Sequence, residues 1–179
     1  MELYLIRHTT PKVAKGICYG QSDLAIDDSR YSEESERVIE SLPAKPDAVY
    51  SSPLKRCTKL AGHIAAQFGA NSVITDTRLM ELDFGDWEMK PWDELTGLAL
   101  DIWMQDFVNQ KAGGEESFTG LHQRVGHFLN DLAASSYHRV AVVTHAGVIR
   151  SAIAHFEGVA LKGVFAYACP YASVRHYKL

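Results

Sequence analysis

The sequence predicts an α/β fold of three layers, a mostly parallel central sheet with helices on both faces. Two observations carry that expectation. Short apolar runs of strand length alternate with segments of helical periodicity along the 179 residues. No internal repeat, low-complexity tract or linker interrupts the alternation, so residues 1–179 are expected to form a single domain, with a small helical lid at about 88–116.

The elements follow in order. Residues 3–7 form the first strand and "SEESERVIESL" (32–42) a helix. "DAVYSS" (47–52) is a second strand. "SPLKRCTKLAGHIAAQFG" then reads as a helix with Ser52 at the cap, Pro53 in the first turn and Gly69 as the stop. "SVIT" (72–75) is a third strand. Beyond a tryptophan-rich middle, "SFTGLHQRVGHFLNDLAA" sets Phe118, Leu121, Val125, Phe128, Leu129 and Leu132 on one helical face. "RVAVVTH" (139–145) is a fourth strand and "GVIRSAIAHF" a helix. "GVFAYAC" and "SVRHYKL" read as two final strands.

Composition narrows the function classes. With 46% hydrophobic and 22% charged residues the chain is globular rather than disordered. A net charge of −4 gives no global attraction to nucleic acid or membrane, so any bound anion must be held by a local cluster of cations. Three widely spaced cysteines without a CxxC pair argue against a disulfide framework. The four apolar residues before Arg7 are too few for a signal-peptide core, and no run approaches a membrane span. A cytoplasmic location is the expectation.

Chemistry gathers at the carboxyl ends of the strands, where open α/β sheets bind ligands. The first strand ends in Arg7-His8, the second in Ser51-Ser52 just before Lys55 and Arg56, and the fourth in His145-Ala146-Gly147. An arginine in the first turn of a helix opposes the macrodipole, and makes sense if an anion is bound there by both. Each piece alone has an ordinary explanation. His8 could bond a backbone carbonyl, Arg7 and Arg56 could pair with Glu81 or Asp83, and "HAG" could be a capping turn. Their joint occurrence at strand ends outweighs these.

The segments "LYLIRHT", "YSSPLKRC", "LMELDFGDWE" and "VVTHAGVIR", in this order and spacing, resemble the histidine phosphatase superfamily, with its phosphoglycerate mutase-like fold. The Arg-His-Thr motif followed by "GICYGQSD" is most similar to the alpha-ribazole phosphatase branch. The resemblance implies that His8 is a nucleophile that becomes phosphohistidine, and that Arg7, Arg56 and His145 hold the phosphoryl oxygens. It makes Glu81 the proton donor and puts Tyr19 and Gly20 in a loop that reaches the substrate. Thr9 and Ala146 stand where glycine is commoner in the family, and Ala14 where mutases carry asparagine.

Chemistry agrees with those roles. Two guanidinium forks suit a phosphoryl dianion. A nucleophilic His8 needs its other ring nitrogen to donate to a backbone carbonyl. An arriving dianion favours a protonated Glu81, which can then supply the leaving alkoxide with a proton. Asp83, Asp86 and Glu88 lie nearby, and Asp83 is the next candidate for that proton.

The implied activity is phosphomonoester hydrolysis that needs neither metal nor cofactor, with alpha-ribazole 5′-phosphate the substrate of the branch. The alternatives are a phosphoglycerate mutase, a non-catalytic phosphate sensor and a metal hydrolase. The last finds no HExxH or HxH grouping. A small-molecule phosphomonoester is the expected partner, with no nucleic acid or membrane. His63, His122, His127, His138, His155 and His176 are read as structural or exposed, and Trp87, Trp92 and Trp103 as core or lid packing.

Overall fold

Leu3 to Ile6 are apolar at every position, as in a strand covered on both faces. In the computed structural model, which describes residues 1–70 and 72–179, they are the buried middle of β1 (Glu2–Arg7). The other strands are β2 (Ala48–Ser51), β3 (Val73–Thr75), β4 (Arg139–Thr144) and β5 (Val174–Lys178). They form one sheet in the order β3-β2-β4-β1-β5, parallel except for β5, which runs antiparallel on the β1 edge.

Because side chains alternate across a strand, β1 and β4 feed two separate cores. Leu3, Leu5, Val140 and Val142 pack with the apolar faces of α4 (Phe118–Ala133) and α5 (Ala146–Glu157). Tyr4, Ile6, Ala141 and Val143 pack instead with α1 (Asp28–Glu40) and α2 (Lys55–Phe68). The layers are those expected from the alternation. A shorter helix, α3 (Leu98–Gln105), and 3-10 turns at Gly85–Trp87 and Trp92–Glu94 occupy the tryptophan-rich middle.

Register decides where the chemistry lands. Arg7 stands opposite Thr144 in β4, and Ser51 of β2 stands opposite Val143 on the other side of β4. The carboxyl ends of three adjacent strands therefore bring residues 7–8, 144–145 and 51–52 together.

Several boundaries differ from the sequence reading. Helix α1 starts at Asp28 because the Asp27 carboxylate accepts from the Ser29 amide at 3.0 Å and caps it. Helix α2 begins only at Lys55, with Leu54 at the cap position and no side-chain cap; the Ser52 hydroxyl lies 2.9 Å from His145 and accepts from the Leu54 amide at 3.4 Å, short of the helix itself. Gly69 ends α2 as expected, at φ +61°. "GVFAYAC" is not a strand: Gly163–Ala166 form a 3-10 turn. The segment joins neither open edge of the sheet, β3 or β5; Val164 packs into the core shared by α4 and α5 and Phe165 lines a cavity. Among the described residues no helix is long and apolar enough to cross a membrane.

Candidate active site

His8 follows directly on β1 and is 1% exposed. Its Nδ1 lies 2.6 Å from the Thr9 carbonyl oxygen. A carbonyl only accepts, so Nδ1 carries the proton and the Nε2 lone pair is free. His145, fully buried at the end of β4, has its ring centroid 5.0 Å from that of His8. Its Nε2 is 2.9 Å from the Ser52 hydroxyl and 3.4 Å from the Cys57 sulfur.

The arginines are held by carbonyls, not by acids. Arg56, with no exposed surface, donates to the Ser22 and Gly20 carbonyls at 2.7 and 2.6 Å. Arg7 donates to the Cys169 carbonyl, and its Cζ lies over the Tyr171 ring, 3.9 Å from the centroid. Neither Nε–H has an acceptor. Carbonyl anchors fix the direction of a guanidinium without cancelling its charge, and burial strengthens the field it casts. Two uncompensated cations beside two imidazoles make an anion site.

The same field acts on the histidines. Burial first, and then the Arg56 guanidinium, holds His8 well below its ordinary value against the pull of the Thr9 carbonyl. Burial, His8 and Arg56 do likewise to His145. Both rings are thus neutral near pH 7, and the unfolded chain takes up protons first as the pH falls. The stability they contribute is intact above about pH 6.5 and is lost on acidification toward their folded values, at most ~1.4 kcal/mol per pH unit for each ring. Thermal melts at pH 7.5 and 5.5 check this; a melting temperature that rises at pH 5.5 contradicts it.

Glu81 reaches the site from the loop after β3. Both carboxylate oxygens lie 3.1 Å from the Gly147 amide, and Oε1 also accepts from Leu82 at 2.9 Å. The carboxylate therefore rests on the positive end of α5. A Cβ on Gly147 would come within 2.1 Å of Oε1, so only glycine permits this approach.

The backbone carrying Glu81 is fastened by Arg124 of α4, which the sequence reading did not single out. It donates to the carbonyls of Arg78, Met80 and Glu81 at 2.6–2.9 Å and forks onto Glu116 at 2.7 and 2.8 Å. Arg124→Met strands three carbonyls and a carboxylate and is expected to cost ~2–5 kcal/mol in chemical denaturation. An unchanged denaturation midpoint and slope contradict that.

Arg7, His8, Glu81 and Tyr19 line one cavity of about 330 Å³. Much of the remaining lining is aromatic. A chain of ring contacts runs Phe84–Trp92–Trp103–Phe107–Phe165, with centroids 4.8–6.2 Å apart. Trp92 and Trp103 thus face the cavity, while Trp87 is buried and meets Trp103 edge-on.

The family description "Histidine phosphatase superfamily (branch 1)" matches residues 3–179. The chain belongs to the histidine phosphatase superfamily. It is a phosphatase of that superfamily and is similar to several with names. A Hydrogenobacter thermophilus protein that carries the provisional name phosphoserine phosphatase 2 is 29% identical over 91% of this chain and 82% of its own. The adenosylcobalamin/alpha-ribazole phosphatase of Escherichia coli is 28% identical over 89% of this chain and 80% of its own. The crystal structure of the alpha-ribazole phosphatase from Shigella flexneri superposes with a TM-score of 0.88 at 24% identity, covering 98% of this chain and 89% of that one.

In this histidine phosphatase the loop residues part company. Tyr19 lines the cavity, its hydroxyl paired with that of Tyr171. Gly20 lies behind, buried under Leu82, Phe84 and Glu88, and offers its carbonyl to Arg56. Glu88 ties the two loops by accepting from the amides of Gln21, Ser22 and Phe84. Burial opposes its charge, but the Ser22 hydroxyl and these amides prevail and hold it below the usual carboxylate range. Asp83 is turned to its own loop, accepting from Gly85 at 2.9 Å.

The sequence reading also missed the segment 169–172. Cys169 anchors Arg7, Tyr171 stacks on it, and the Ala172 amide donates to the His8 carbonyl at 3.2 Å. The "PY" turn before β5 was the available signal. Among the described residues no group of three or more His, Cys, Asp or Glu side chains is disposed to hold a metal ion.

Proposed function

We propose that this phosphatase hydrolyses phosphomonoesters without a metal ion, through a phosphohistidine on His8 Nε2. The observation that carries the reading is the pair of carbonyl-anchored, acid-free arginines beside a histidine whose Nδ1 proton is committed to Thr9. The phosphoryl dianion binds Arg7 and Arg56, and its charge favours the imidazolium of His145, which then donates to a phosphoryl oxygen. His8 Nε2 attacks phosphorus, the ester P–O bond breaks, and the departing oxygen takes a proton from Glu81. Water then attacks the phosphohistidine while Glu81 accepts its proton, which releases phosphate and restores both groups.

Hydrolysis is favoured over mutase transfer because the cover of the site is slight. Residues 88–116 form the lid in this reading, and their one α-helix has eight residues. A mutase has to keep water from its phosphoenzyme. As substrates, the relatives' names support both alpha-ribazole phosphate and phosphoserine. The aromatic cavity wall has room for the flat base of a benzimidazole riboside and packs equally against a shorter carbon skeleton. The test is p-nitrophenyl phosphate hydrolysis with EDTA: the rate is expected to survive chelation, and its loss on chelation with recovery on metal addition overturns the reading.

A further inference from the structure

One cation in the cavity has no part in the chemistry above. Arg150 lies on the first turns of α5, on the same helical face as Ala146 and Gly147, and all three line the cavity. Its guanidinium makes no hydrogen bond to any described residue and no salt bridge, whereas Arg7 and Arg56 are both anchored. Its Nε is buried without an acceptor, and its Cζ lies 5.5 Å from the Phe165 ring centroid. The indole N–H of Trp103, in the same cavity, also lacks an acceptor. A half-buried guanidinium on an aromatic cavity wall, with its Nε unpaired and no acid opposite it, is free to take an anionic ligand.

Charge indicates what that ligand carries. Glu81 is the one acid lining the cavity among the described residues, and it must hold a proton when the leaving group departs. At that moment the positive groups are the guanidiniums of Arg7, Arg56 and Arg150 and the imidazolium of His145, while the phosphoryl group supplies two negative charges. Positive charge is left in excess, and Arg150 is the cation that the phosphate chemistry does not use. A carboxylate matches it in charge and in fork geometry.

Resting on the proposed phosphohistidine reading, the geometry points to Arg150 as the group that binds a carboxylate on the leaving group, so that the preferred substrates are phosphate esters of hydroxy or amino acids. The aromatic rings then pack against the carbon skeleton between the two anions and exclude water from the ion pair.

The test compares esters that differ in the carboxylate alone. O-phosphoserine is expected to exceed O-phosphoethanolamine in kcat/KM by about 10- to 100-fold, the scale of one charge-assisted hydrogen-bonded pair. Arg150→Met is expected to bring that ratio toward one. A ratio near one in the unaltered enzyme overturns the inference and needs no variant that folds. So does a ratio that Arg150→Met preserves, or a higher kcat/KM for alpha-ribazole 5′-phosphate, whose leaving group has no acid, than for O-phosphoserine. Failure to hydrolyse even p-nitrophenyl phosphate would instead remove the reading on which the inference stands.

Discussion

His8→Ala is expected to lower kcat by at least ~10³-fold and to leave no trapped phosphoenzyme, because the variant loses the covalent route altogether. The case for His8 over its neighbour lies in what each ring nitrogen touches. At His8 the Thr9 carbonyl takes the Nδ1 proton and Nε2 has no hydrogen-bond partner among the described residues. At His145 the Ser52 hydroxyl and the Cys57 sulfur crowd Nε2, so that nitrogen is occupied. Burial and Arg56 also hold His8 well below its ordinary value, so the proposed nucleophile is ready without a separate base. Alkaline quench of enzyme with labelled substrate should trap an acid-labile phosphoenzyme in the unaltered protein and none in His8→Ala. His145→Ala should still label, more slowly, since it loses one donor to the phosphoryl oxygens and keeps the attacking atom. Near-normal turnover by His8→Ala would falsify the assignment.

The strand ends were legible because the signal is local. An apolar run that stops at Arg7-His8 or at Thr144-His145 announces both a strand and its carboxyl edge, and the parallel order β2-β4-β1 makes those edges adjacent. What fastens the site was not legible, since it consists of backbone groups brought in from far along the chain. Nothing in "HQRVGH" says that Arg124 spans the carbonyls of residues 78–81, or in "YACPY" that a cysteine carbonyl aims Arg7. The mistaken strand at "GVFAYAC" has the same origin. Its alternation of apolar residues is genuine, but Val164 is buried beneath α5 while Phe165 turns to the cavity, a use that period alone does not distinguish from a ladder.

Replacement of Glu81, the proposed proton donor, should give the second largest effect, and one that depends on the substrate. Glu81→Gln is expected to slow alkyl phosphates ~10²- to 10⁴-fold and p-nitrophenyl phosphate far less, because p-nitrophenolate departs without a proton. Glutamine keeps the acceptor oxygen for the Gly147 and Leu82 amides, so the loss reports on the proton rather than on a collapsed loop. Gly147→Ala supplies an independent route to the same result. The added methyl would lie 2.1 Å from Oε1, and the carboxylate must leave its seat while every ionisable group remains present. The two variants should therefore share one signature, a rate that falls more steeply with leaving-group pKa than in the unaltered enzyme. Asp83 faces its own loop at Gly85, and Asp83→Asn should leave that dependence as it was. If Asp83→Asn steepens it and Glu81→Gln does not, the proton comes from Asp83, and the contact between Glu81 and α5 serves only to hold the helix end.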